Sequence, residues 1–261
     1  MTPFLSVILI TKNEAAHIDA CLDAVAFADE IIVVDAGSSD DTVARAEAHG
    51  ATVTVTGDWP GFGPQKNRAL DLARGQWVLS IDADERVTPA LAAEIRALLA
   101  APAHDAYRIP RLSSYCGRFI RHSGWWPDPV LRLFRNGRAR FSDVPLHESV
   151  QFDGSPGMLS QPLLHYTYPD LDSAITKMNR YSSDAAAAMF ARGKRASLPG
   201  AFGHGLWTFI RIYLLRRGFL DGREGLLLAI GAGIGSFYRY AKLSLLTRPR
   251  QLPDENSRTR L

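Results

Sequence analysis

The chain has 261 residues, is 46% hydrophobic and 22% charged, and carries two cysteines, Cys21 and Cys116. These values suit a water-soluble protein with one large domain and an appendage, and they exclude a disulfide framework, which fits a reducing compartment. The net charge of +3 is segregated, with 13 Lys/Arg against 4 Asp/Glu from Phe190 to Leu261. The front of the chain is therefore acidic and a poor nucleic-acid binder, whereas the basic, aromatic tail points to a membrane surface.

The N-terminus, MTPFLSVILITKNE, lacks a basic leader region and a small-residue cleavage site. Its apolar run is too short to span a bilayer and reads as a first strand, Phe4 to Ile10. A helical pattern follows, with Ala15, Ile18, Cys21, Leu22 and Val25 on one side. Ile31 to Val34 forms a second strand, and Asp40 and Asp41 are N-cap candidates for a helix over Val43 to His49. Ala51 to Thr56 reads as a third strand, Gln65 to Arg74 as a helix and Trp77 to Ile81 as a fourth strand. Thr88 and Pro89 then open another helix. Strands alternating with helices predict right-handed βαβ units and an α/β fold around a mostly parallel sheet covered on both faces.

Beyond Pro102 the pattern loosens into short β-like pieces (Ala106 to Ile109, Val130 to Phe134, Leu159 to His165). Helices return over Asp170 to Arg192, Phe202 to Arg217 and Asp221 to Leu246. The predicted organisation is a main α/β domain over 1–168, in two halves at 1–100 and 101–168. A basic helical extension follows at 169–261.

Ligands of open parallel sheets bind beyond the carboxyl ends of the strands. Three strands here end in polar clusters: Thr11/Asn13/Glu14, Asp35/Ser38/Asp40/Asp41 and Asp82/Asp84. No G-x-x-x-x-G-K-[ST] loop is present, and the first strand is not followed by G-x-G-x-x-G, which argues against P-loop NTPases and dinucleotide oxidoreductases. A divalent cation reconciles the carboxylates with a phosphorylated ligand, because Mg²⁺ or Mn²⁺ takes one or two carboxylates and completes its shell with phosphate and water. The spacing of Asp82-Ala83-Asp84 places one carboxylate for the metal and the other near a ribose. His147 and His165 can each complete a metal shell through a neutral ring nitrogen.

SVILITKNEAAHI, EIIVVDAGSSDDT, GPQKNRAL and WVLSIDADE resemble the successive N-terminal motifs of family-2 glycosyltransferases with the GT-A fold. GWWPDPVLRLFR, PLHES, LLHYTY and the GFLDGREG segment resemble the WaaE-like subgroup that adds a sugar to the lipopolysaccharide core. The resemblance implies that Asp35 bonds a uracil-type base above a floor of Thr11, Asn13 and Glu14. It further implies that Lys66 approaches the base or the phosphates, Asp82 faces the ribose or metal, and Asp84 is the principal metal ligand. The donor is then a UDP-sugar, the transferred group a hexose such as glucose, and the acceptor a glycolipid. A polyprenyl-phosphate acceptor and a non-catalytic sugar-nucleotide binder remain alternatives.

Inverting transfer needs a base for the acceptor hydroxyl. Asp128, His147 and Glu148 are the candidates, and Glu148 is favoured. Trp125 and Trp126 either stack on an acceptor sugar or belong to the core. No Q-x-x-R-W motif or spanning helix follows, so single-sugar addition is expected. Gly205 to Arg217 and the uncharged run Gly225 to Phe237 are too short to span and suit a layer on the cytoplasmic face of the inner membrane, or packing against a second copy.

Overall fold

Seven consecutive residues, Leu5–Thr11 (β1), are buried, so both faces of the first strand are covered. This computed structural model describes residues 4–142 and 149–247. The contacts divide the chain into two units, Met1–Ser114 with Trp125–Thr167, and Tyr115–Gly124 with Tyr168–Leu261.

In the first unit β1 leads through α1 (Ile18–Val25), β2 (Glu30–Asp35), α2 (Thr42–Ala48), β3 (Thr52–Val55) and α3 (Phe62–Leu72) to β4 (Trp77–Ser80). Then come β5 (Glu85–Val87), α4 (Pro89–Ala100) and β6 (Ala106–Tyr115). After the two-residue β7 (Arg118–Phe119) of the second unit, β8 (Asp128–Arg135), β9 (Ala139–Phe141), β10 (Val150–Phe152), β11 (Gly157–Met158) and β12 (Leu163–Tyr168) complete the strands. The main sheet runs β3-β2-β1-β4-β8-β6-β12-β5.

Its first four strands are parallel, as the βαβ pattern predicts. From β8 onward the direction reverses, with β8 antiparallel to β4 and β6, and β5 antiparallel to β12. The parallel reading therefore holds for β1 to β4 and for the short β11, which pairs parallel with β6, but not for β5. β8 and β12 are reached through connections without crossover helices, and they pair antiparallel, β8 with β4 and β6 and β12 with β5.

Successive residues of a strand point to opposite faces. Val7, Leu9, Val33, Trp77 and Leu79 pack on one face with Ile18, Leu22 and Val25 of α1 and Leu91, Ile95 and Leu99 of α4. Ile8, Ile10, Ile32, Val34 and Val78 pack on the other face with Ala69, Leu70 and Phe134. This double burial is why the strands read as unbroken apolar runs. The register sets Thr11 beside Asp35, so the polar ends of β1 and β2 emerge together.

The second unit is helical. Asp170 accepts from the Ser173 N–H and caps α5 (Leu171–Ala191). The next helix, α6 (Leu198–Ile210), starts four residues before the sequence reading of Phe202, because the Ser197 side chain accepts from the Gly200 N–H. A π-helical turn, Arg211–Leu215, and a 3-10 turn, Gly218–Asp221, lead to α7 (Gly222–Leu246). The uncharged stretch of α7 has a packing reason. A Cβ on Gly205 would meet the Gly233 carbonyl oxygen at 3.0 Å, and one on Gly233 would meet the Gly205 oxygen at 3.1 Å, so α6 and α7 touch backbone to backbone. Buried Asp221 accepts from the N–H groups of Arg121 and His122 and from the Ser123 hydroxyl. Among the described residues no helix is long and apolar enough to cross a membrane.

Trp77, on β4 where the parallel half of the main sheet meets the antiparallel half, is 1% exposed. Trp77→Ala is expected to cost about 3–5 kcal/mol, read as a lower urea midpoint.

Candidate functional site at the strand ends

The ends of β1 and β2 are knitted together by hydrogen bonds rather than by apolar contact. Asp35 is fully buried and accepts from the Thr11 hydroxyl at 2.8 Å and from the Ser38 N–H and hydroxyl at 2.7 and 2.6 Å. Asn13 takes a left-handed backbone conformation (φ 57°), which Asn tolerates better than most residues. Its N–H donates to Ser38, and its side-chain oxygen accepts from the Ser39 N–H. The Glu14 N–H donates to the Thr42 hydroxyl, which in turn donates to Asp40. Asp40 also accepts the Ala15 N–H, and its bonds with Thr42 hold its carboxyl below the usual carboxylate range. Asp41 sits at the N-cap of α2 without a side-chain capping bond, so Asp40 ties this loop down instead. The two loops form one rigid polar shelf.

The end of β4 is organised by charge. Lys66, on α3, is buried, with its ammonium 2.9 Å from Asp82 rather than turned out to solvent. Arg132, buried on β8, reaches Asp82 with the same nitrogen that bonds Glu85 at 2.7 Å. Glu85, 0% exposed, also accepts the Asp82 N–H at 3.0 Å. Desolvation alone would raise the Asp82 carboxyl, but the positive charges of Arg132 and Lys66 outweigh it and hold it well below the usual range. The Arg132 Nε is buried and has no hydrogen-bond partner among the described residues. Arg111 lies 3.6 Å from Glu85 and donates to Asp128 at 2.6 Å, so one of the three base candidates is engaged by a guanidinium. His147 and Glu148 lie outside the described residues.

Asp84 is placed differently from Asp82. Its carboxylate is 3.3 Å from His165 Nε2, on β12, and its carbonyl accepts the Tyr166 N–H. The Ser113 hydroxyl lies 2.9 Å from His165 Nδ1 and can fix the ring so that Nε2 faces Asp84. The Asp84 carboxylate is a ligand suited to Mn²⁺ or Mg²⁺ with open positions left for phosphate oxygens, and a neutral His165 could add an imidazole nitrogen, a ligand type that softer divalent metals favour more. Among the described residues no group of three or more His, Cys, Asp and Glu side chains can hold a metal ion alone, so a cation here needs its ligand to finish the shell. With both Asp82 oxygens facing cations, Asp84 and His165 are the pair that fits a metal. Cys21 is buried, and burial pushes its thiol well up, which suits packing rather than nucleophilic work.

Sequence reasoning missed Glu85, Arg111, Ser113 and Arg132. A usable signal existed for Arg132: a cation inside the apolar strand VLRLF needs a buried counter-charge. None existed for Ser113, which matters only because β6 and β12 are neighbours. Trp125 and Trp126 are half-buried, whereas Trp59 is exposed and packs edge-on against Phe62 at 5.0 Å.

A sheet whose strand ends gather buried carboxylates, cations and a His–Asp pair marks an α/β fold with a candidate active site. The family model for glycosyl transferase family 2 matches residues 6–154, and the chain belongs to that family as a glycosyltransferase. An uncharacterized glycosyltransferase of Rickettsia felis is 33% identical over 256 residues, covering 92% of this chain and 89% of the relative. The lipopolysaccharide core biosynthesis glycosyltransferase LpsC of Rhizobium meliloti is 30% identical, covering 92% and 91%. Glucosyl-3-phosphoglycerate synthase from Mycobacterium tuberculosis, solved with Mn²⁺, UDP and glucosyl-3-phosphoglycerate, is 31% identical over 44% of this chain and 45% of its own, with a TM-score of 0.35.

Removing Arg132 leaves fully buried Glu85 with only the more distant Arg111, at 3.6 Å, and Asp82 with Lys66 alone among the described cations. Arg132→Met is expected to destabilise the fold by about 3–5 kcal/mol, measured by urea unfolding. The lowered Asp82 value means that its contribution to stability is complete above the ordinary carboxylate pKa of about 3.9 and is lost as pH falls through the lower native value. The stability gap between wild type and Asp82→Asn should therefore begin to narrow once the pH falls below about 4, where the unfolded carboxyl takes up its proton.

Proposed function

We propose that this glycosyltransferase transfers a hexose, glucose in the simplest case, with inversion from a UDP-sugar to a lipopolysaccharide-core or similar glycolipid acceptor. The observation that carries the donor half is the Asp84–His165 pair at 3.3 Å beside an Asp82 held ionised by Lys66 and Arg132. Asp84 and His165 would hold Mg²⁺ or Mn²⁺, which offsets charge on the departing diphosphate. Asp35, with Thr11, Asn13 and Glu14, forms the shelf for the base. Asp82 serves the ribose side, and its two cations fix where its carboxylate stands.

In the transfer the acceptor hydroxyl oxygen bonds to the anomeric carbon, the bond from that carbon to the diphosphate oxygen breaks, and a base takes the hydroxyl proton. Glu148 is assigned as that base, with His147 and Asp128 as alternatives. The acceptor class is supported by the similarity to LpsC, which covers nine-tenths of both chains. The basic helical unit would hold the enzyme on the cytoplasmic face of the inner membrane, where a glycolipid acceptor is found.

Asp84→Ala is expected to abolish transfer from UDP-glucose to extracted core glycolipid and to remove the Mn²⁺ dependence of UDP binding by calorimetry. Retained metal-dependent turnover would refute the metal assignment. Glu148→Gln should bind donor normally and transfer at least about a hundredfold more slowly; unchanged turnover would move the base to His147 or Asp128.

A further inference from the structure

Most large apolar side chains of α6 and α7 that are exposed fall on repeating positions. On α6 they are Leu198, Phe202 and Leu206, four residues apart, and on α7 Leu227, Ile230, Ile234 and Tyr238, three or four apart. Each set is therefore a stripe along one side of its helix. The helices pair antiparallel: Gly205 approaches Gly233 and Phe237, Phe209 approaches Gly233, and His204 stacks on Tyr240 with ring centroids 3.8 Å apart. One residue past the contact line is about 100° round each axis. In an antiparallel pair that step turns Leu206 and Ile234 to the same side, while the step back turns His204 and Tyr240 to the other. The hairpin thus has one apolar face, and Phe202 on it is 65% exposed.

The charges decide what covers that face. Between Ala185 and Thr247 the sequence has nine Lys/Arg and two acids, Asp221 and Glu224. Both acids are buried, at 2% and 7% exposure, so this stretch shows cations and no exposed carboxylate. Lys194 and Arg195 precede one end of the hairpin, and Arg216, Arg217 and Arg223 stand at the other. A second copy docking face to face would set like charges opposite one another, which is unfavourable. An anionic lipid surface supplies both an apolar layer and phosphate groups for the rim.

We propose that the α6–α7 hairpin lies in the headgroup boundary of an anionic bilayer. The Phe202/Leu206 and Ile230/Ile234/Tyr238 stripes face inward, and the arginines at its turn bind lipid phosphates. The turn is suited to this because it is stiff. Gly218 is packed so closely that a Cβ would meet the Ile212 oxygen and the Ser123 hydroxyl at 2.9 Å, and Asp221 clamps the segment 121–123. The apolar side chains are held out by a formed structure, so insertion costs little further ordering.

This inference sharpens the membrane attachment proposed above and rests on that reading, but its test needs no sugar donor. The full chain is floated with phosphatidylcholine vesicles with and without phosphatidylglycerol, at low and high salt. It should float with the anionic vesicles at low salt and separate from them at high salt. Arg216→Gln/Arg217→Gln should lower the partition coefficient about 30-fold. Phe202→Ser/Leu206→Ser should abolish flotation while leaving the circular dichroism and UDP binding unchanged, and His204→Ser, on the opposite side, should float as wild type does. Equal flotation on neutral vesicles, or flotation retained by Phe202→Ser/Leu206→Ser, would overturn the proposal. So would a wild-type dimer, by sedimentation equilibrium, that the serine variant dissolves and that ignores vesicles. Flotation without UDP binding would instead count against the transferase site and leave the membrane face standing.

Discussion

Arg132 ties the two halves of the catalytic sheet together. It stands on β8, the first antiparallel strand after the parallel half, and one of its nitrogens reaches both Asp82 and Glu85, either side of the Ala83-Asp84 step. Two carboxylates brought this close in a buried turn repel each other and are costly to desolvate. A guanidinium between them, with Lys66 on the far oxygen of Asp82, turns that repulsion into a fixed geometry. The position of Asp84 follows from it, because Asp84 is on the same turn and is tied to β12 by its carbonyl.

The two sides of the proposed donor site are therefore built by different physics. The shelf of Thr11, Asn13, Asp35, Ser38 and Thr42 is a hydrogen-bonded lattice that presents donors and acceptors already set in place. The Asp82 turn is an ionic cluster, and its electrostatic balance is open to a ligand that brings its own charges. In the proposed function the first would be the floor for a base and the second the wall for a diphosphate and cation, and preorganised polar groups would cost little rearrangement when such a ligand arrives.

The helical unit follows another rule. Its apolar content divides between glycine-lined contact inside the α6–α7 pair and stripes left outside, and its buried acids, Asp221 and Glu224, serve as internal anchors. The surface that remains is apolar and cationic. Such a surface is explained by a partner and not by the fold alone.

Periodicity was enough to read β1 to β4, the helices between them and the polar strand ends, which follow from apolar runs closed by Asp, Thr or Asn, but not the three-residue β5. Those residues are local signals, because a strand buried on both faces must be apolar and its end must turn. The family resemblance was legible for the same reason, being carried by strand-end motifs. What the sequence could not decide was who meets whom across the sheet. That Lys66 turns inward to Asp82, that Glu85 shares Arg132 with it, and that His165 rather than Asp82 accompanies Asp84 all depend on the order β4-β8-β6-β12-β5. That order is set by long-range antiparallel pairing, for which single-chain periodicity holds no address. The same holds for Gly225 to Phe237, whose missing charges the sequence shows and whose division between helix contact and open face only the packed hairpin reveals.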